Sequence, residues 1–388
     1  MATKTFFCPT EIIDGPGVLN TLPQITADYG KKAMIVVDPF FLNSPLLKRV
    51  EELLSECEVK VFGKVTSNPR DNEINEGAAI CRDFGADFII AIGGGSAIDS
   101  AKAINIVSTN GGECWDYVRV AGKEIRPITE KLLPLIAVPT TSGTGSECTR
   151  YSVVTNGVTH AKSTIKTDLN FPAKALVDPE LTVSVPRKIT ALTAIDAFAH
   201  CFESYIGRKA NEFSEMFSLK GMELFIKSVR KVCRDGSDTE ARNELSMCST
   251  LGGLAITHSA TTLPHGIGQA LSGVTDAPHG GSIAVCMPQV IEWTLPHGQQ
   301  RFARVACMFD ESLKTLSEEE QAAALPKILK ELFSEIIGEK LTMASYGLTE
   351  DKIEEVADMA LSSYAGDVSR HPRVANREDL IEIIHRCL

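Results

Sequence analysis

No stretch of the 388-residue chain approaches the roughly 18 consecutive apolar residues that read as a membrane span. Its start, MATKTFFCPTEIIDGPG, also lacks the basic and apolar regions of a secretory signal, so a cytoplasmic location is expected. Positive charge is in deficit: 39 Lys and Arg against 50 Asp and Glu give a net charge of −11. Such a field repels nucleic acid and anionic membrane surfaces and leaves small molecules as the expected partners. None of the eleven cysteines forms a CxxC pair, and an odd number in a reducing compartment implies free thiols serving mainly as small buried apolar residues. Cys148, Cys201 and Cys286 lie near the motifs described below, so oxidation there would harm activity without any of them being catalytic. There is no internal repeat and no low-complexity tract.

What is present is a soluble, globular composition, 44% hydrophobic and 23% charged, in a chain too long for one hydrophobic core. In the first half, short apolar runs (KAMIVVD ending at Asp38, EVKVFGKV, ADFIIAIGGG, LPLIAVPTT, AKALVD ending at Asp178) are separated by helical patterns. Buried runs of this kind predict βαβ units in a parallel, doubly wound α/β sheet covered on both faces. In YSVVTNGVTHAKSTI, β-branched runs flank an Asn-Gly turn at Asn156 and Gly157, which predicts a hairpin. After LTVSVPRKIT the apolar positions recur at three- and four-residue steps, as in ALTAIDAFAHCFESYIG and NEFSEMFSLKGMELFIKSVRKVC. An all-α C-terminal domain is therefore predicted over 186–388, following an α/β domain over 1–185.

Three stretches carry chemistry. Gly93, Gly94 and Gly95 stand between an apolar strand and a helix that opens at Ser96. Glycines there let backbone N–H groups approach a phosphate at a helix N-terminus, although a plain tight turn uses glycine too. VPTTSGTGSECT gathers the hydroxyls of Thr140, Thr141, Ser142, Thr144, Ser146 and Thr149 after the next strand, where a polar turn or a nucleotide-binding loop would each fit. Both stretches follow parallel strands, which favours a nucleotide. Asp196 and His200 lie four residues apart on one helical face, and His265 and His279, in LPHGIGQALSGVTDAPHG, add two imidazoles. This oxygen and nitrogen set suits Fe²⁺ or Zn²⁺, and ligand type does not choose between them.

In order, GGGSxxDxxK (Gly93 to Lys102), PTTxGTGSE (Pro139 to Glu147), LVDPELT (Leu176 to Thr182), DAxxH (Asp196 to His200) and the two PHG histidines resemble the iron-containing, or group III, alcohol dehydrogenases over nearly the whole chain. The resemblance implies a nucleotide-binding α/β domain, a helical domain and a cleft between them. It implies Asp196, His200, His265 and His279 as metal ligands, Gly94, Gly95, Ser96 and Asp99 along the cofactor pyrophosphate, and Asn68, Thr140, Thr141, Thr144, Thr149 and Lys162 around the rest of NAD(H). Asp38, after its strand, accepts ribose hydroxyl bonds and repels a 2′-phosphate, so NAD(H) is expected over NADP(H).

The implied reaction is hydride transfer between NAD(H) and a short primary alcohol or aldehyde whose oxygen is held by one divalent metal per chain. Many relatives carry a histidine four residues after the third ligand, and here that place is Gln269, which cannot titrate near neutral pH. Water and the cofactor ribose are the expected proton route. His258, seven residues before His265 and on the same face of any continuous helix, is the alternative unless Pro264 breaks that helix; its bland reading is a structural hydrogen bond. His160, His297, His371 and His385 have no ligand-like company, and solvent-facing or capping roles are expected, with His371 of some interest for opening HPR.

Tyr151, Thr149, His258, Thr261, Thr262, Gln269 and the SRHPR loop are candidate pocket walls. Their polarity suits a short substrate. Arg150, Arg370 and Arg373 raise an anionic alternative, such as sulfoacetaldehyde or succinic semialdehyde, although each arginine also reads as an ordinary surface charge. A dehydroquinate-synthase-like lyase shares the broad architecture and is the remaining enzymatic alternative, and a non-catalytic binding protein would leave both cofactor sites without a use. A homodimer or larger homo-oligomer is expected from common symmetry.

Overall fold

A computed structural model of the chain describes residues 3–120, 122–159 and 161–388; His160, expected to be solvent-facing or capping, lies outside them. The chain divides into two compact units, one of Cys8–Thr141 and Gly145–Val183, the other of residues 3–7, Ser142–Thr144 and Ser184–Leu388. The main division falls between Val183 and Ser184, beside the expected 185/186, and residues 3–7 and the short segment 142–144 group with the helical unit.

The α/β unit contains β1 (Glu11–Asp14), α1 (Leu22–Thr26), β2 (Lys32–Val37), α2 (Pro45–Leu53), β3 (Glu58–Phe62), α3 (Asp71–Phe84), β4 (Phe88–Gly93), α4 (Gly95–Asn110), β5 (Leu135–Pro139), β6 (Tyr151–Thr155), β7 (Lys162–Lys166) and β8 (Lys174–Val177). Six strands form one parallel sheet in the order β1-β8-β5-β4-β2-β3. β2, β4 and β5 are buried almost throughout because both faces are covered. Met34, Val36, Ile89 and Ala91 pack toward α3 and α4. Their alternating neighbours Ile35, Val37, Ile90 and Ile92 pack with Leu19, Leu22, Leu47 and Val50.

β3 and β4 lie on opposite sides of β2, so the strand order reverses between β2 and β4, the point in a doubly wound sheet where ligands bind at the carboxyl ends. Asp38 leaves β2 there, Gly93–Gly95 leave β4, and Thr140 leaves β5. β6 and β7 pair antiparallel, so the hairpin expected around Asn156-Gly157 is present, with a connection longer than two residues. The Asn156 side chain shapes that connection, its Oδ1 accepting the N–H groups of Val158 and Thr159.

The helical unit contains α5 (Arg187–Ile206), α6 (Glu212–Arg234), α7 (Thr239–Ser259), α8 (Leu263–Thr275), α9 (His279–Phe309), α10 (Glu318–Ile337), α11 (Ile353–Ser363), α12 (Ala365–Arg370) and α13 (Arg377–Arg386). α5 is buried on nearly every face, inside a core shared with α6, α7, α9 and α10. A second core joins α8 and α9 to α11 and α13. None of the helices is long and apolar enough to cross a membrane, judged over the described residues. The eleven cysteines are all free thiols.

Candidate functional site

Three helices of the helical unit bring one carboxylate and three imidazoles together. Asp196 and His200 project from the same face of α5, one turn apart. His265 stands in the first turn of α8, and His279 is the first residue of α9. Asp196 Oδ1 lies 3.6 Å from His200 Nε2, 3.5 Å from His265 Nε2 and 3.5 Å from His279 Nε2. Asp196, His200 and His265 are buried, and the His279 side chain keeps 30% exposure.

These separations suit a metal ion, and the donor atoms of Asp196, His265 and His279 all lie within 4.8 Å of one another. Donor atoms at the corners of a tetrahedron around a cation, each about 2.1 Å from it, stand roughly 3.4 Å apart. Asp196 Oδ1 and His265 Nε2 are also buried without a hydrogen-bond partner, a costly state for an oxygen and a nitrogen aimed at one point. The residues present therefore fit a divalent cation. Nδ1 of His200 lies 3.3 Å from the Gly143 carbonyl, which accepts its proton and leaves the Nε2 lone pair facing the cluster. Segment 142–144 is held there tightly: a Cβ on Gly143 would come within 2.9 Å of Thr193 Cβ, and the Ser142 and Ser246 hydroxyls lie 2.9 Å apart.

The two carboxylates of the cluster set the charge state of the groups around them. Burial alone would raise the Asp196 carboxyl, but the imidazoles of His200, His279 and His265 outweigh it and hold it well below the usual carboxylate range. Burial lowers His200 to about 4, so that its ring stays neutral. For His265 burial also pulls downward, but the carboxylates of Glu203 and Asp196 hold it up to about 10, so a cation bound at Nε2 would displace the proton there while Nδ1 keeps its own.

Glu203 was not expected from the sequence. It is fully buried on α5, and its Oε1 accepts the Nδ1 proton of His265 at 2.5 Å. The only cue was a carboxylate seven residues after Asp196, on the same face of a helix that is otherwise apolar.

His258 is not part of this cluster. α7 ends at Ser259, Ala260 follows at φ 68°, and α8 starts only at Leu263, so the continuous helix that would align His258 with His265 is absent. Its Nδ1 donates to the Leu254 carbonyl at 2.7 Å, its Nε2 accepts the Phe7 N–H at 3.0 Å, and its ring stacks on Phe6 at 4.8 Å. This is the structural role. Thr261 donates to Asp367 at 2.6 Å, and Gln269 lies half-buried on α8, one turn beyond His265. His371, instead of facing solvent, is fully buried, with Nε2 2.7 Å from Thr294 Oγ1 and Nδ1 3.2 Å from Thr262 Oγ1; burial lowers it to about 3. His297 and His385 are exposed.

In the α/β unit the predicted nucleotide loops meet at the strand-order reversal. Gly93 has φ 149°, and a Cβ there would fall 2.7 Å from Ala97 Cβ and 2.9 Å from Asp38 Cβ, so only glycine lets β4 turn into α4 beside Asp38. Gly94 caps α4 and Gly95 starts it, and a Cβ on Gly94 would meet Thr141 Oγ1 at 3.0 Å. Thr140 N–H donates to the Gly93 carbonyl at 3.0 Å, which ties the β5 loop to the β4 loop. Asp38 Oδ1 accepts the Phe40 N–H at 2.9 Å. Ser96 Oγ donates to the Ser67 carbonyl at 2.8 Å, and Asn68 Oδ1 accepts from Lys162 Nζ at 3.0 Å.

Asp99, expected along the pyrophosphate, is occupied within the protein: Oδ1 accepts from Ser146 Oγ at 2.6 Å and Oδ2 from the Val153 N–H at 2.9 Å. It braces the loop. Lys102, whose role the sequence left unread, does the same from the next turn of α4. Its buried ammonium donates to the carbonyls of Ser146, Thr149 and Tyr151 at 2.7, 2.9 and 2.9 Å, and lies 2.9 and 3.4 Å from the Ser146 and Thr149 hydroxyls. Thr144 falls in the segment that joins the helical unit. Tyr151 opens β6 and carries Lys166 over its ring at 5.5 Å.

The three arginines that raised an anionic substrate have partners within the protein. Arg150 pairs with Asp168, and Arg370 binds Asp367 at 2.6 Å and the Thr261 carbonyl at 3.1 Å. Arg373 lies 3.8 Å over the Trp293 ring and donates to its carbonyl at 2.8 Å.

Residues 9–179 match the sequence profile of the iron-containing alcohol dehydrogenases, and residues 190–388 match that of the C-terminal part of the same family. The chain is 31% identical over 386 residues to an NAD-dependent methanol dehydrogenase of Bacillus methanolicus, covering 99% of each chain. An alcohol dehydrogenase from Oenococcus oeni superposes with a TM-score of 0.93 at 30% identity, covering all of both chains. A sulfoacetaldehyde reductase from Bifidobacterium kashiwanohense, solved in complex with NAD+, superposes with a TM-score of 0.87 at 26% identity, covering 100% of this chain and 99% of that one.

Proposed function

The chain belongs to the iron-containing alcohol dehydrogenase family, and from that premise we propose that it interconverts short primary alcohols and aldehydes with NAD(H), using a divalent cation held by Asp196, His200, His265 and His279. The observation that carries this reading is the convergence of three imidazole Nε2 atoms on Asp196 Oδ1 at 3.5 to 3.6 Å. When bound, such a cation polarises the substrate oxygen as a Lewis acid, and the nicotinamide accepts or supplies the hydride.

The protein's own share is positioning and charge. The Gly93–Gly95 turn and the α4 N-terminus offer backbone N–H groups to the pyrophosphate, while Lys102 and Asp99 keep the 140–149 loop in place through bonds within the protein. Asp38, at the strand-order reversal, favours ribose hydroxyls over a 2′-phosphate, so NADH is the better reductant. A higher kcat/KM with NADPH would overturn that preference. Gln269 hydrogen-bonds but does not titrate, and His258 is held by backbone partners, so neither side chain serves as the proton donor to the substrate oxygen, a role that water and a bound cofactor's ribose would fill.

With Arg150, Arg370 and Arg373 committed to internal partners, a short neutral substrate fits better than an anionic one. The test is NADH oxidation by metal-stripped protein reloaded separately with Fe²⁺ and Zn²⁺, given short aldehydes paired as neutral and terminally anionic forms. The proposal expects turnover and a higher kcat/KM for the neutral member. A preference for the anionic member would move the substrate toward that of the sulfoacetaldehyde reductase, and no NADH oxidation with either metal would overturn the dehydrogenase reading.

A further inference from the structure

α5 carries a third buried functional group besides its two ligands. Glu203 follows Asp196 by seven residues and His200 by three, which places all three on one face of the helix. Its side chain is fully buried, and every hydrogen bond it accepts comes from the start of α8. Oε1 takes the Nδ1 proton of His265 at 2.5 Å. Oε2 takes the Thr262 N–H at 2.6 Å and the Thr262 hydroxyl at 3.0 Å, with the His265 N–H at 3.5 Å. Thr262 is the N-cap of α8, yet its side chain makes no cap bond within its own helix. Glu203 supplies that cap from α5, where a negative charge meets the positive end of the α8 dipole.

Two consequences follow from these contacts. An imidazole that donates from Nδ1 to a carboxylate presents its Nε2 lone pair on the opposite side, toward Asp196, His200 and His279. The charge count points the same way. Asp196 and Glu203 are two buried carboxylates, and among the described residues neither forms an ion pair with Lys or Arg. Two buried anions that share only the His265 ring between them are expensive to hold, and one divalent cation at the cluster offsets their charge.

We propose that Glu203 is a positioning residue of the metal centre: it fixes the tautomer and ring orientation of His265, anchors the backbone of that ligand by capping α8, and completes the charge that selects a divalent ion. This rests on the four-ligand reading above. His265 is thereby the rigid member of the set, and His200, whose Nδ1 meets only the Gly143 carbonyl at 3.3 Å, is the looser one.

The test compares the full-length parent and Glu203→Gln, both metal-stripped, by Zn²⁺ competition against a chelator and by the visible spectrum of the Co²⁺ form. Removing a carboxylate of this kind weakens metal binding by roughly 10- to 100-fold. The expected result is a Zn²⁺ Kd raised by about that factor and a changed Co²⁺ spectrum, with kcat at saturating metal falling less than the affinity does. A Kd within about twofold of the parent and an unchanged Co²⁺ spectrum, whatever the melting temperature does, would overturn the proposal and leave Glu203 a helix cap only.

Should Glu203→Gln fail to fold, the Zn²⁺-loaded parent with ¹⁵N-labelled histidine gives the answer. The His265 ring proton is expected on Nδ1 and slow to exchange with water, and a proton on Nε2 overturns the proposal. A parent that binds Zn²⁺ through a Glu203-dependent site but oxidises no NADH defeats the dehydrogenase reading alone. A parent that turns over while Glu203→Gln keeps its Kd defeats the Glu203 inference alone, and a parent that binds no divalent cation defeats both.

Discussion

Replacing Lys102 by Met tests whether the cofactor loop is organised from beneath. Met keeps most of the side-chain volume and removes the ammonium, leaving the carbonyls of Ser146, Thr149 and Tyr151 without their shared donor. A buried carbonyl deprived of its partner costs about 1–3 kcal/mol, so three of them put several kcal/mol at stake. Part of that gain is already offset in the parent, because burial brings Lys102 down to about 8 from 10.5, a differential of roughly 3 kcal/mol against its charged form. The net loss expected for Lys102→Met is therefore about 2–4 kcal/mol. The loop that loses its anchor holds the hydroxyls of Thr140 to Thr149, so NADH affinity should fall with stability. Urea unfolding followed by circular dichroism reads the first quantity and NADH fluorescence the second. A variant that loses less than about 1 kcal/mol and binds NADH as tightly as the parent would refute the reasoning.

Gly93→Ala places a Cβ 2.7 Å from Ala97 Cβ and 2.9 Å from Asp38 Cβ at φ 149°, and neither neighbour can move away without shifting backbone. Overpacking and backbone strain each cost about 1–3 kcal/mol, and the KM for NADH should rise at least about tenfold; an unchanged KM would show that the turn does not shape the cofactor site. His371 has a folded pKa of about 3, below its ordinary 6.5, so the unfolded chain binds the extra proton between those values. Its stability contribution is complete above pH 6.5 and is lost as pH falls toward 3, at a limiting slope of about 1.4 kcal/mol per pH unit. Over that window His371→Gln should unfold with a pH slope flatter than the parent's by about one proton, and equal slopes would contradict the assignment.

The legible parts of the fold were those dictated by continuous burial. β2, β4 and β5 announce themselves as apolar runs because both sheet faces are covered. β1 did not, since it is a four-residue edge strand of mixed exposure that gains its identity only by pairing with β8, more than 150 residues away. α8 and α9 were obscured by glycine pairs and by Pro288 and Pro296, which tertiary packing tolerates inside a 31-residue helical run with a kink at Gly298. The clustering of the four proposed ligands was suggested by two of them sharing a helical turn and the others repeating a local motif.

Lys102 and Glu203 were harder to read, because each acts on a partner 44 to 62 residues away and no local spacing encodes that meeting. A usable signal did exist in both cases: a charged residue on a helix face otherwise filled by core residues must have a partner waiting for it. His258 shows the opposite error, where helical spacing aligned it with His265 across a break that Ala260 introduces.

The most direct measurement of the central claim is an Fe²⁺ titration of the metal-stripped enzyme, anaerobically, with NADH oxidation by a short neutral aldehyde read at each addition. Activity should rise linearly and stop at one equivalent per chain, and Asp196→Asn, folded but with a neutral amide in place of the carboxylate on which three imidazoles converge, should gain almost none. Full activity in the stripped protein, or an Asp196→Asn variant that titrates like the parent, would contradict the account.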